Sequence, residues 1–247
     1  EVDYRLEART TEKFRQMLSH DPRFVVPRVL AEFSTDHIIA STYEHGHSVS
    51  SVAVRELPLE RRSALGQAAL ELFFRELFEW GEIQTDPNFG NYRIRIAGEQ
   101  GGDSETDRIV LLDFGAVQSY SSDFLKPVIQ MIRASYEEDL EQVVEGGIKL
   151  RFMSRDWPAE VLDKFGKVCM SVLEPLAKDR SQWPDYAVNS HGQYRWKQSD
   201  LPSRVAKQAA RSAISRYFRV PPKEFVFLNR KLIGVYTFIA VLHSEFN

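Results

Sequence analysis

At 247 residues, with 43% hydrophobic and 27% charged side chains, the chain has enough apolar material for one large or two small domains, and this composition excludes disorder and low complexity. Lys and Arg number 32 against 35 Asp and Glu, a formal net charge of -3 that supplies no general attraction to nucleic acid or to an anionic membrane. The single cysteine, Cys169, excludes an internal disulfide framework and a cysteine-rich metal site.

Glu1 stands where a methionine would begin a complete chain, and it enters a charged, helix-like stretch without signal-peptide character, so the sequence reads as a segment of a longer one. Val2, Leu6, Phe14 and Leu18 recur at helical spacing and predict a helix over residues 1–19. Asp3 and Glu7 then share a face, either solvated or met by a cation. Two β-prone runs around Ser34-Thr35-Asp36 predict a hairpin with strands at 29–33 and 37–43, leaving through Glu44-His45-Gly46. Leu70, Phe73, Phe74, Leu77 and Phe78 mark a helix over 60–80 with a broad buried stripe, ending at Trp80-Gly81.

A dense turn, Asp86 to Asn91, precedes strand candidates at 92–96 and 109–112, joined by a polar, glycine-rich connector over 97–107 that reads as mobile. Beyond Gly115 the pattern is helical to the end, with turn signals at Trp157-Pro158, Trp183-Pro184 and Pro221-Pro222. In the last helix Leu228, Leu232, Val235, Ile239 and Leu242 hold one face. The longest clean apolar run, 234–242, is far short of the roughly 20 residues that span a bilayer.

Chemistry concentrates around the strand pair. Phosphoryl transfer calls for a carboxylate near the attacking group and oxygen ligands that hold Mg²⁺ against the phosphates of ATP, because the metal neutralises charge in transfer. Asp86, Asn91 and Asp113 have those chemistries. Asp86 and Asn91 stand five positions apart, as do the aspartate and asparagine of a kinase catalytic loop, and Asp113-Phe114-Gly115 follows a short hairpin in kinase order. Alone, that tripeptide could simply mark a strand end. Combined with the spacing before it, it reads as a phosphotransferase-like site.

On three motifs in order, the chain resembles the UbiB/AarF-type atypical kinases, which include bacterial, plastid and mitochondrial coenzyme-Q kinase members. The motifs are Glu1-Val2-Asp3-Tyr4-Arg5-Leu6-Glu7-Ala8, Gln84-Thr85-Asp86-Pro87-Asn88-Phe89-Gly90-Asn91 and Leu111-Leu112-Asp113-Phe114-Gly115. Pro221-Pro222-Lys223-Glu224-Phe225, leading into Leu228-Asn229-Arg230-Lys231-Leu232, is similar to the family's C-terminal helix. The resemblance implies an α+β, mostly α fold. Residues 1–46 would be the remainder of a small lobe, with helix C, two strands and the hinge; residues 47–247 would be a helical large lobe with catalytic loop, metal-binding hairpin and C-terminal helices.

The resemblance also implies roles, with ATP and Mg²⁺ as cofactors. Glu7 would pair with the ATP-contacting lysine of the small lobe, and Glu1 and Asp3 would meet a lysine of the family's N-terminal extension. Asp86 would be the catalytic-loop aspartate and Asn91 and Asp113 the metal ligands. The backbone near Thr42, Tyr43 and Glu44 would take the adenine edge at a hinge over 40–46. The nucleotide-covering loop, the ATP lysine and the Lys-x-Gly-Gln segment of the family are not in this sequence, so the segment by itself is expected to bind ATP poorly.

Gln84-Thr85 replaces the His-Arg of ordinary protein kinases and no Ala-Pro-Glu follows Gly115, which weakens a reading as an ordinary protein-substrate kinase. The reading adopted is an Mg-ATP-dependent ATPase or small-molecule kinase supporting isoprenoid quinone (ubiquinone) biosynthesis. The rivals are a non-catalytic nucleotide-binding scaffold for a lipid-modifying complex, and an aminoglycoside/choline kinase-like phosphotransferase, which usually has His where Gln84 stands. His45 and His47 could bind a transition metal if a third ligand converged, but the six histidines are scattered and the pair sits at the expected hinge; Glu137 to Glu141 reads as a solvated face, and Cys169 as a core residue. Eight basic residues over 204–231, against the one acid Glu224, form either a solvated face or a seat on anionic lipid, favoured over nucleic acid. The expected compartment is the bacterial cytoplasm, with the mitochondrial matrix second.

Overall fold

A computed structural model describes residues 3–99, 105–213 and 216–247. The expectation for Glu1 and the centre of the 97–107 connector lie outside the described residues. In chain order the elements are α1 (Tyr4–Met17), β1 (Phe24–Val25), α2 (Val52–Arg55), α3 (Leu59–Arg75), β2 (Glu82–Gln84), β3 (Tyr92–Arg95), β4 (Arg108–Leu111) and β5 (Val117–Ser119). There follow α4 (Ser122–Tyr136), α5 (Leu140–Lys149), α6 (Ala159–Val172), β6 (Tyr194–Arg195), α7 (Leu201–Ala213), α8 (Lys223–Val241) and β7 (Glu245–Phe246). The fold is α+β and mostly α, as read from the sequence.

Asp3 is the N-cap of α1: its Oδ1 accepts from the Leu6 N–H at 2.9 Å, satisfying a donor that the first turn leaves open. The helix is anchored through its C-terminal half, where Thr11, Phe14 and the following Leu18 are buried. Leu6, expected on the apolar face, is 52% exposed. The hairpin expected over 29–43 is reduced to one bridge, Val29 to Ser41, flanked by the bonds Leu30 N–H to Ala40 O (2.8 Å) and Thr42 N–H to Arg28 O (2.9 Å). The pairing partners are as read, but Ala31–Phe33 winds into a 3₁₀ turn and the Ser34 hydroxyl binds the Leu30 carbonyl at 2.9 Å, which closes the loop before strands develop.

Backbone pairing stitches the segment before residue 47 to the later strands. β1 runs parallel to β4, which pairs antiparallel with β3, and His47 exchanges two 2.8 Å backbone bonds with Ile94. Gly46 permits that approach, since a Cβ there would lie 2.7 Å from the Cβ of Arg93.

α3 continues into a π-helical turn, Glu76–Trp80, and ends at Gly81 in the left-handed conformation (φ 64°), where glycine carries no Cβ penalty. Leu70, Phe73 and Leu77 of this stripe are buried, and α3 packs on α8, where Leu232, Val235 and Ile239 are buried in turn; Phe78, assigned to the stripe by spacing, falls within the π turn and is 46% exposed. Pro158 and Pro222 cap α6 and α8, and Pro184 caps a 3₁₀ turn. The expectation of helix throughout beyond Gly115 fails at β5 and over residues 173–200, where 3₁₀ turns lead to β6, paired with β7. These strands have two or three residues each, too few to show an alternating pattern.

Candidate functional site

Two antiparallel pairs set the geometry. β2 pairs with β5 in the register Gln84 to Val117, and Thr85 continues the ladder by donating both its N–H (3.0 Å) and its hydroxyl (2.7 Å) to the Ala116 carbonyl. β3 pairs with β4 in the register Tyr92 to Leu111, and the Leu112 N–H donates to the Asn91 carbonyl at 2.9 Å. The first pair draws the residues after Gln84 toward those before Val117. The second sets Asn91, just before β3, beside Asp113, just after β4.

Asp86, Asn91 and Asp113 thereby share one locality. The Asn91 amide donates to Asp86 Oδ2 at 2.9 Å, and Asn91 and Asp113 border one small cavity with Gln84, Tyr92 and Lys231 in its wall. The Gly115 N–H holds Asp113 Oδ1 at 2.8 Å, and the Gln84 amide reaches the Asp113 carbonyl at 3.4 Å. Phe114 is buried and packs on Phe14 of α1, ring centroids 4.9 Å apart, which ties α1 to the loop carrying Asp113. A Cβ on Gly115 would sit 3.2 Å from Glu7 Oε2 and 3.3 Å from Asp113 Oδ1. Partial burial and then the charge of Asp113 raise the Glu7 carboxyl above its usual range.

Thr42, Tyr43 and Glu44, expected at a hinge, are held elsewhere. Glu44 is gripped by Arg95 of β3 at 2.6 Å and accepts from the Thr42 hydroxyl at 2.8 Å, while the Thr42 N–H is committed to the Arg28 carbonyl. Tyr43 is 81% exposed and meets the His45 ring edge-on. Neither Thr42 nor Glu44 hydrogen-bonds the cluster around Asp86. His47 bonds Glu99 at 2.6 Å, and among the described residues no three of His, Cys, Asp or Glu converge on a metal position.

Sequence reasoning missed the support behind the loop. Lys231 of α8, 4% exposed, donates to Gln84 Oε1 and to the Tyr92 hydroxyl, both at 3.1 Å, with the buried Glu76 carboxylate 3.9 Å away. Burial works against the Lys231 charge, but Glu76, Tyr92 and Asp86 outweigh it and raise its pKa. Burial pushes the Glu76 carboxyl up to about 7 against the pull of Lys231, and its Oε2 has no hydrogen-bond donor. Arg230, the next residue back, lies 3.7 Å from Asp86 Oδ1 at the surface. The signal was present: Lys231 falls three after Leu228 and four before Val235, and Glu76 three after Phe73, so opposite charges sit on two apolar stripes. α8 also leans on the loop at Gly234, where a Cβ would fall 2.1 Å from Pro87 Cβ.

Of the basic stretch over 204–231, Lys231 is thus internal and Arg204 is forked onto Glu174 at 2.7 and 2.8 Å. Lys207, Arg211, Arg216, Arg219, Lys223 and Arg230 remain exposed.

Residues 1–146 match the model of the ABC1 atypical kinase-like domain, a span that contains Glu7, Asp86, Asn91 and Asp113. The chain belongs to this family. Among relatives of this ABC1 domain, the Dictyostelium discoideum protein named probable serine/threonine-protein kinase abkA is 28% identical over 100% of this chain and 43% of its own length. The rat atypical kinase COQ8B, mitochondrial, is 28% identical over 99% of this chain and 42% of its own. The Saccharomyces cerevisiae atypical kinase COQ8, mitochondrial, is 25% identical over 97% and 44%. The chain therefore spans less than half the length of these relatives. A Mycobacterium tuberculosis protein solved in complex with erythromycin shares the fold with a TM-score of 0.61 at 19% identity, over 99% of this chain and 55% of that one.

Proposed function

We propose that this ABC1 domain is the greater part of an Mg-ATP site, and that the protein works as an ATPase or small-molecule kinase in isoprenoid quinone metabolism. One observation carries the reading: the strand pairs set Asn91 and Asp113, 22 residues apart in sequence, on the wall of one small cavity, with Asp86 hydrogen-bonded to Asn91 beside it. The donors fit a hard cation, being a carboxylate and an amide oxygen beside a second carboxylate. In this reading Asp113 and Asn91 hold Mg²⁺, which when bound would neutralise charge on the transferring phosphoryl group. Asp86 accepts or orients the proton of the attacking group, with its orientation held by Asn91 and its charge moderated by Arg230.

Glu7, raised by partial burial and then by Asp113, would be relieved by a cation. Its partner in this reading is the ATP-contacting lysine of a small-lobe segment not in this sequence, while Asp3 faces the family's N-terminal extension; Thr42, Tyr43 and Glu44 border the adenine. The quinone connection rests on family resemblance. The mitochondrial names of the COQ8 relatives favour a mitochondrial location over a bacterial cytoplasm. No helix among the described residues is long and apolar enough to cross a membrane, and the exposed cations of the 204–231 stretch are the proposed seat for anionic lipid.

The test is Mg-dependent ATP binding and hydrolysis by the full-length protein, with and without anionic vesicles. Asp113→Asn is expected to abolish binding, and Asp86→Asn to preserve binding while lowering turnover at least a hundredfold. Unchanged turnover in Asp86→Asn would leave a nucleotide-binding scaffold as the better reading.

A further inference from the structure

Away from Asp86 and its neighbours, the helical half of the molecule encloses a cavity of about 210 Å³. Met131 and Ser135 of α4, Phe165 and Cys169 of α6, and Leu228 and Leu232 of α8 form its walls, and the 218–221 segment lies at its edge. A close-packed interior contains few voids larger than a water molecule, and an apolar void of about 150 Å³ is already large enough to take up a benzene ring. This one is larger, and three features show what would fill it.

The lining contains no Asp, Glu, Lys or His; its one charged member is Arg219, an exposed residue whose guanidinium lies over the Trp157 ring at 5.3 Å. Asp156, whose carboxyl feels the Arg219 charge, is not in the wall, and no ion pair with Arg219 forms among the described residues. Inside, the Ser135 hydroxyl is buried at 5% exposure and has no hydrogen-bond partner, although a helical serine can reach the carbonyl one turn back. Ser135 and Asn229 are thus small uncharged polar points in an otherwise apolar wall. Cys169 adds a neutral thiol, pushed up to about 12 by burial, so the pocket holds no anion to oppose one arriving.

We infer that this cavity binds a monomeric medium-chain carboxylate, its alkyl chain between α4, α6 and α8 and its anionic head at Arg219. Chain length follows from volume. The void is about 1.4 times the roughly 150 Å³ that takes up the six carbons of benzene, so about eight carbons fill the space. Longer chains would have to open the edge at Phe218, which is 40% exposed.

Calorimetric titration of the full-length protein with octanoate, octanol and octylamine tests the assignment, with Arg219→Glu and Cys169→Met beside the wild type. Octanoate is expected to bind saturably, at least tenfold more tightly than octanol, and octylamine not at all. Arg219→Glu, at an exposed position that leaves the core intact, should weaken octanoate about tenfold or more and leave octanol unchanged. Cys169→Met, which fills the wall with an adaptable side chain, should weaken both. Absence of saturable octanoate binding to the wild type overturns the inference, as does uptake that Cys169→Met leaves unchanged. Equal affinities for octanoate and octanol overturn the role of Arg219 and with it the carboxylate class.

Discussion

Replacing Lys231 by Met keeps the length and apolar stem of the side chain and deletes the ammonium that joins Gln84, Tyr92 and Glu76 behind the Asp86–Asn91 loop. What this costs depends on pH through Glu76. In the folded protein that carboxyl titrates at about 7 against 4.5 unfolded, so its contribution to stability is fully present below pH 4.5 and is lost as pH rises through 7. At about 1.4 kcal/mol per pH unit, the group alone lowers wild-type stability by about 3 kcal/mol across that window. In Lys231→Met at pH 5.5 the carboxyl is already neutral, and the loss reduces to two hydrogen bonds, about 1–3 kcal/mol. At pH 8 the variant must bury an unpaired carboxylate or bind a proton against the solution, for a loss of about 3–5 kcal/mol. Urea unfolding at the two pH values reads both losses, and adding Glu76→Gln to Lys231→Met should bring them together. Equal losses at pH 5.5 and pH 8 in the single variant would refute the argument, because Glu76 would then be no part of the Lys231 environment.

Gly234→Ala places a methyl 2.1 Å from Pro87 Cβ, so despite the better helix propensity of alanine it should cost about 1–3 kcal/mol, with a lowered Tm by calorimetry and weakened Mg-ATP binding as the loop is displaced. Phe114→Ala removes a buried ring from its contact with Phe14 and should destabilise by about 3–5 kcal/mol; limited proteolysis should then cut first around α1. Cys169, with its thiol near 12, should react with a disulfide reagent in native protein at least a hundredfold more slowly than in urea.

The parts of this molecule that show in its sequence are those with a long period or a fixed local spacing. α3 and α8 announce themselves by stripes of five apolar residues, and Asp86 to Asn91 by a spacing that the loop itself enforces. The hairpin between Asn91 and Asp113 was legible because both strands reach four residues. β1, β6 and β7, two residues each, exist only through partners far along the chain, β4 for the first and each other for the last two, and no local pattern encodes such pairing. The same applies at the site. Asp86 and Asp113 could be named from motifs, whereas Lys231 had to be recognised as a charge out of place on an apolar face, and its partner Glu76 lies 155 positions away. The π turn at Glu76–Trp80 is invisible to periodicity, since it interrupts a pattern that otherwise continues.

The hold that α8 keeps on Pro87, Gln84 and Tyr92 bears on where this domain can be cut. Residues 1–146 are the part that the family model matches, yet the buried cation behind the loop and the helix face that fills the gap beside Pro87 come from residues 231 and 234. Shortened to its motif-bearing part, the chain would leave Glu76 without a counter-ion and expose Leu72 and Phe73 to water. The recognisable half and the folding unit are therefore different objects. Genes that merge or split next to this domain can be expected to keep the last helix with the first, however little that helix contributes to recognition.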